Sequence, residues 1–364
     1  MQAPAELVSL AFRNPGAIHR FSMSDWDKVV RQARQAGLLA RLHGLLQKEG
    51  LDAPIPAVAR WHFEVATALA EIQQNATRRE LGQLFELLAW LDFPLVVLKG
   101  AGYVAAGLPA ARGRAIDEID LLVPREHLDR VESTLERADW RAVTLPDYDR
   151  RYYRRWKRDT ALLQHLHCTT VVNLHHAIVP DTARFRPDAA RLRHRAVEVS
   201  GFPGMTVLAP EDRILHAATL LLQDDTLPHG LRDLSDLDLL LRQAAAEEGF
   251  WPRLLARSAE MDLNLPLFYA LRYATHFFRT PVPDEVRDSL AASAPGWPAL
   301  RLMDGIYTRM LAPNHHSCQD GLAPLARHAT YLRAHWQRRP PRLLLPHLLR
   351  KAVGGGYQHA PKPA

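Results

Sequence analysis

Between residues 24 and 48 apolar side chains return every three or four positions, at Val29, Val30, Ala33, Leu38, Leu42, Leu45 and Leu46. That interval places them on one face of a helix, with Ser24 or Asp25 as its cap. Two prolines in "LDAPIPA" break the pattern. A second long helical run is expected from about Val58 to Leu91, with Gln74 as its candidate interruption. The texture then changes. "FPLVVLK" (93–99) is a short apolar run between Pro94 and Gly100, which predicts a buried strand. "AGYVAAG" reads as a turn or short helix, and "IDEIDLLV" (116–123) as a second strand. "PREHLDRVESTLERAD" predicts a helix entered at Pro124, with Leu128, Val131, Leu135 and Ala138 on one face. "WRAVTL" is a third strand, and the β-branched stretch 161–179 supplies two more. From about Pro210 to residue 336 the period is helical again, and no internal repeat is present.

The predicted fold is therefore α+β. A helical region (1–88) precedes a small mixed-sheet core (89–200), a helical C-terminal region (201–337) follows, and a basic, Pro/Gly-rich tail (338–364) ends the chain. A length of 364 residues suffices for two or three domains' worth of core. No apolar run reaches the roughly 18 residues of a spanning helix. The opening residues lack a basic segment ahead of an apolar one, which reads against a signal peptide. Two cysteines, Cys168 and Cys318, make no disulfide framework, so a cytoplasmic location is expected. The formal charge is +6 and mostly arginine. That suits nucleotide, nucleic acid or an anionic membrane surface, and an arginine-rich proteome accounts for it equally.

The apolar strand 116–123 carries three acids. Alternation puts Glu118 and Asp120 on one face and Asp117 on the other with Ile119. Two adjacent carboxylates repel unless a cation neutralises them, and hard oxygen donors select Mg²⁺ or Mn²⁺. Mg²⁺ is commonly held by one or two carboxylates together with substrate phosphates, so a nucleoside triphosphate is the implied partner. The upstream "LKGAG" places Gly100, Ala101 and Gly102 where backbone N–H groups can approach phosphate, with Lys99 adding charge.

Taken together, "LKGAGYVAAG…RAIDEIDLLVPREHLDRVESTLERADW" resembles the polymerase-β-type nucleotidyltransferase superfamily, and within it a large bacterial nucleotidyltransferase family. The similarity runs from about Trp26 to Leu241 and includes "APEDRILHAATLLL" and "LRDLSDLDLLL". It implies Mg-dependent nucleotidyl transfer from a nucleoside triphosphate to an acceptor, which could be a small molecule, peptide, protein or RNA. Glu118 and Asp120 would be the metal ligands, residues 99–102 and Arg114 would bind nucleotide, and His175 or Asp236 would serve the acceptor. Arg112, Arg114 or the 150–158 cluster would steady the leaving pyrophosphate.

The chain departs from the family pattern in several places. Glu118 stands for an Asp, Asp117 for a Ser, Ala101 for a frequent Ser and His176 for an aromatic. The third acid, which by resemblance helps activate the attacking hydroxyl, is Asn173. An amide cannot act as a base. The alternative is thus a catalytically impaired relative that keeps the fold to bind a nucleotide or a protein partner.

Other features have competing explanations. "DYDRRYYRRWKR" (147–158) interleaves six positive residues with aromatics, which suits nucleic acid, a triphosphate clamp or a solvated hairpin. On the helix containing "LRDLSDLD", Leu231, Leu234, Leu237 and Leu241 mark the buried stripe, and Arg232–Asp236 is a candidate i,i+4 ion pair. "NHHSCQD" with His165, His167 and Cys168 matches no zinc spacing. The 338–351 stretch is a candidate for weak contact with a membrane or a partner.

Overall fold

The computed structural model describes residues 6–142, 159–166 and 171–338. The 147–158 cluster, His167, Cys168 and the tail from 339 lie outside the described residues.

The N-terminal helices follow the apolar period, with one break. Helix α1 (Leu7–Arg13) leads to α2 (Met23–Gln35) and α3 (Leu39–Lys48), where a single helix was expected. Gly37 adopts φ +66°, and Leu38 N–H turns back to the Ala33 carbonyl at 2.7 Å. This is the hydrogen-bonded stop of a helix on a left-handed glycine, and periodicity alone reads through it. The cap is also earlier than expected. Ser22 accepts from the Asp25 N–H, and Asp25 accepts from the Ser22 N–H, forming a reciprocal box. Helix α4 (Ala57–Leu87) runs unbroken through Gln74. Gln74 is buried and donates to the carbonyls of Ala111 (2.6 Å) and Arg114 (3.3 Å). Rather than breaking the helix, it fastens the segment that feeds the acidic strand.

That segment connects two central strands. Strand β1 (Leu95–Leu98) passes directly into α5 (Lys99–Ala105), and β2 (Glu118–Leu122) runs antiparallel to β1 with Leu98 opposite Asp120. Helix α6 (Leu128–Arg137) follows, then β3 (Trp140–Ala142), β4 (Asp159–His165) and β5 (Val171–His175). Helix α7 (Ala189–His194) leads to a hairpin of β6 (Val197–Val199) and β7 (Phe202–Val207). The described strands form one mixed sheet in the order β3-β4-β5-β2-β1-β7-β6. β5 lies parallel to β2 and β7 parallel to β1, so the sheet extends to Val207.

Among the described residues seven more α-helices follow: α8 (Pro210–Gln223), α9 (Gly230–Ala244), α10 (Phe250–Glu260), α11 (Asn264–Phe278), α12 (Asp284–Ala291), α13 (Trp297–Leu311) and α14 (Ala323–Arg338). None of the described helices is long and apolar enough to cross a membrane. The two faces of the sheet enter different cores, as alternation requires. Val97, Ile119, Leu121, Val172 and Leu174 pack with Leu81 and Leu84 of α4 and Leu128, Val131 and Leu135 of α6. Val96, Leu98 and Leu122 join a larger core that unites α2, α3, α8, α9 and α11. Glu118 and Asp120 share this second face, so the acids look toward the helical layer.

Gly113 (φ +65°) seats the segment before β2 against α3: a Cβ there would lie 2.5 Å from Arg41 N and 2.7 Å from Ala40 C. Both atoms are backbone and cannot swing aside. Gly107 (φ +62°) has open space around it. Gly113→Ala is therefore expected to lower unfolding free energy by about 3 kcal/mol or more, combining backbone strain and overpacking. Gly107→Ala should cost only about 1 kcal/mol, from backbone strain. Urea titration of both variants checks the difference; equal losses would show that Gly113 is not wedged.

Candidate active site

The acidic strand delivers its two carboxylates to one place. Glu118 and Asp120 both meet the ammonium of Lys99, whose Nζ lies 3.2 Å from Glu118 Oε1 and 2.7 Å from Asp120 Oδ1. Lys99 is the residue on which β1 turns into α5, and it adopts φ +50°. Left-handed backbone is uncommon for a lysine and costs energy, and here it marks a residue fixed by its surroundings. Asp120 is only 1 % exposed, whereas the Glu118 side chain is 40 % exposed. The pair thus runs from the protein interior outward to solvent.

Asp120 Oδ1 gathers further donors from β5. His175 Nε2 stands 2.5 Å away and Asn173 Nδ2 3.5 Å. Asn173 is the residue directly opposite Asp120 in the β2/β5 register. Burial alone would push the Asp120 carboxyl up; the charge of Lys99 and the hydrogen bond from His175 outweigh it and hold the group well below the usual carboxylate range. The far oxygen of the amide, Asn173 Oδ1, is buried with no hydrogen-bond partner among the described residues. Such an oxygen is costly unless a ligand supplies its partner.

Beside Lys99 is a small cavity of about 10 Å³ lined by Leu98, Gly102, Tyr103, Arg213 and His216. Arg213, in the first turns of α8, donates to the Leu208 carbonyl at 2.8 Å, and no carboxylate pairs with it among the described residues. Burial pushes its guanidinium down from the ordinary arginine value, outweighing the opposite pull of Tyr103 and Glu211. The sequence reading did not single Arg213 out. A lone arginine in a helix carries no motif, and only the fold reveals that no carboxylate pairs with it among the described residues.

A match to the uncharacterised nucleotidyltransferase family covers residues 22–279. The chain belongs to this family. Within this nucleotidyltransferase the matched span takes in α2 to α11, hence the whole described sheet and every residue named above. No curated protein and no solved structure matches the chain.

The expected site residues of this nucleotidyltransferase fall into two groups. Lys99, Glu118, Asp120 and His175 come together with Asn173. Arg114 and Asp236 form a second, deeper cluster. Arg114 Nε binds Asp236 Oδ2 at 2.7 Å, and Arg41 Nη1 of α3 reaches Asp236 Oδ1 at 2.7 Å. Burial would raise the Asp236 carboxyl, but Arg114, Arg41 and Arg232 together hold it below the usual range. The i,i+4 pair expected between Arg232 and Asp236 does not form. Arg232 instead meets Asp233 at 3.1 Å and Asp117 at 3.8 Å. Asp117 precedes the strand, so alternation does not govern it.

The glycine turn is tighter than a phosphate cradle requires. A Cβ on Gly100 would fall 2.9 Å from the Arg114 guanidinium carbon, and one on Gly102 would fall 2.5 Å from the Val97 carbonyl oxygen. Gly100, Ala101 and Gly102 are all buried. Their observed task is close packing of α5 against β1 and Arg114.

Asp236 offers a stability test. Removing its charge strands two buried guanidinium groups, so Asp236→Asn is expected to cost about 3–5 kcal/mol. Because the folded carboxyl is held low, its contribution is complete above the ordinary carboxylate pKa and fades as pH falls through the folded value. The gap between wild type and variant should therefore narrow below about pH 4. Urea unfolding at pH 7 and pH 3 checks both parts, and a gap independent of pH would remove Asp236 from the ion-pair role.

Proposed function

We propose that this nucleotidyltransferase moves a nucleotidyl group from a nucleoside triphosphate to an acceptor hydroxyl or phosphate, at a Mg²⁺ or Mn²⁺ site on Glu118 and Asp120. The observation that carries the reading is the convergence of the Glu118 and Asp120 carboxylates on one point, the Lys99 ammonium, beside Asn173 on the neighbouring strand. Two carboxylates on one strand face suit a hard dication, and the Asn173 amide, which turns its Nδ2 to Asp120, would add an oxygen donor on turning over. This donor set resembles the acid-x-acid strand and third ligand of polymerase-β-type enzymes, with the amide in place of the third acid. When bound, the metal would neutralise charge on the triphosphate as the bond to pyrophosphate breaks.

The chain's own residues have distinct tasks in this reading. His175 positions Asp120, and its burial at 1 % exposure against that carboxylate suits orientation better than proton exchange with an acceptor. Lys99 and Arg213 are the cations at the end of β1, and in this reading they would meet the polyphosphate there. Arg114 is committed to Asp236 and holds the loop before β2. The transfer forms a bond from acceptor oxygen to the α-phosphorus and releases pyrophosphate.

A second reading has its own support. Lys99 already offsets one of the two carboxylate charges, and Asn173 cannot take a proton. Both suit a protein that binds Mg–nucleotide without turning it over. The two readings separate in one assay. Incubation with α-labelled nucleoside triphosphates and Mg²⁺ should yield labelled acceptor and pyrophosphate, and Asp120→Ala should reduce this by about 10²–10³-fold. Asn173→Asp should raise turnover by restoring an acid two residues before His175. Thermal stabilisation by Mg–nucleotide with no pyrophosphate, in wild type and Asn173→Asp alike, would leave only the binding reading.

A further inference from the structure

We infer that Lys99 is a resident counter-ion which competes with the divalent metal for Glu118 and Asp120, so that the protein keeps its own metal affinity low until Lys99 gives way. The inference rests on the metal reading above and deepens it. Its basis is position: the ammonium is within 3.2 Å of one carboxylate and 2.7 Å of the other, the two groups a dication would bridge. An ammonium and a dication on the same pair of carboxylates repel one another.

Three further features support it. First, the lysine is not loosely placed. Its left-handed backbone (φ +50°) sits at the junction of β1 and α5, a conformation that the surrounding packing has to hold in place. Second, the site tolerates its presence electrostatically. His175 also donates to Asp120, and Arg232 is the cation near Asp117, so the remaining charges at this end of β2 are accounted for by other groups. Third, Lys99 has another place to go. Its side chain is 20 % exposed, so an anionic polyphosphate arriving from solvent at this end of β1 would draw the ammonium away from the carboxylates. Metal and polyphosphate would then enter together, each removing an obstacle to the other.

The test is binding of Mn²⁺ to the full chain without nucleotide, followed by titration calorimetry and by electron paramagnetic resonance of free Mn²⁺. Lys99→Met removes the charge. Lys99→Asn also removes it with a residue that accepts left-handed backbone, which guards against a folding defect. Lys99→Arg keeps the charge. The neutral variants should bind Mn²⁺ about tenfold or more tightly than wild type, the size of effect an adjacent unit charge has on a carboxylate. Lys99→Arg should remain as weak as wild type. Neutral variants that bind no more tightly than wild type overturn the inference. If wild type with a non-hydrolysable nucleoside triphosphate binds Mn²⁺ and Asp120→Asn does not, the metal reading survives that loss. If no variant binds Mn²⁺ with or without nucleotide, the metal reading falls as well.

Discussion

One buried carboxylate, Asp236, gripped by two guanidinium groups, determines where everything else at the site can be. Arg41 comes from α3, Asp236 from α9, and Arg114 from the stretch that enters β2. These are the N-terminal helices, the C-terminal helices and the sheet. The cluster therefore fastens all three parts at one point, within a core that α2, α3, α8, α9 and α11 share. Paired charges at this depth add little net stability over apolar packing, but they are intolerant of being unpaired. Such a cluster specifies alignment more than it supplies energy. Its geometric consequences follow along the chain: Arg114 lies on Gly100, Arg41 donates to the carbonyls of Ala110 and Arg112, and Gly113 sits against the backbone of α3. Gln74 completes the hold from α4. The acidic strand begins four residues after Arg114, so its register at the site is inherited from this fastening.

Much of this fold is legible from periodicity because most elements bury one regular face. The α6 stripe of Leu128, Val131 and Leu135, and Leu231, Leu234, Leu237 and Leu241 of α9, are buried as their spacing predicts. The failures share a cause: each element was ended or created by a local hydrogen bond or backbone sign that apolar spacing does not encode. Gly37 stops α2 through φ +66°. Gln74 faces inward as a polar anchor and so resembles a break in an apolar stripe. The β6–β7 hairpin, around Gly201 at φ +83°, is too short and too exposed along Val197 and Glu198 to show a clear period. "VEVSGFPGMTV" nevertheless carries its signal, two β-prone runs about a Ser-Gly turn.

The candidate site was legible in part for the same reason. Strand alternation alone places Glu118 and Asp120 together, and parallel pairing then brings Asn173 and His175 beside them. What the sequence does not disclose is the charge bookkeeping in three dimensions. Lys99, read as a phosphate contact, sits on the carboxylates. Asp236, read as a candidate for acceptor chemistry, is occupied by arginines, and Arg213, which no motif marks, has no carboxylate partner among the described residues. Partner choice among buried charges depends on distances of a few ångströms between elements far apart in sequence, 122 positions for Arg114 and Asp236.

Lys99 and Asn173 are best understood as one electrostatic arrangement. Three carboxylates around a buried point would leave a surplus of negative charge that a single ammonium cannot offset, and the deepest of them would be forced to take up a proton. With an amide at 173 the count becomes two negative charges against one positive, and the charge of Lys99 together with the hydrogen bond from His175 holds the Asp120 carboxyl below the usual range although it is buried. The amide retains an oxygen able to bind a hard cation while adding no charge of its own. The substitution that weakens the case for an acid–base role at 173 is thus the same one that limits the negative charge Lys99 has to offset.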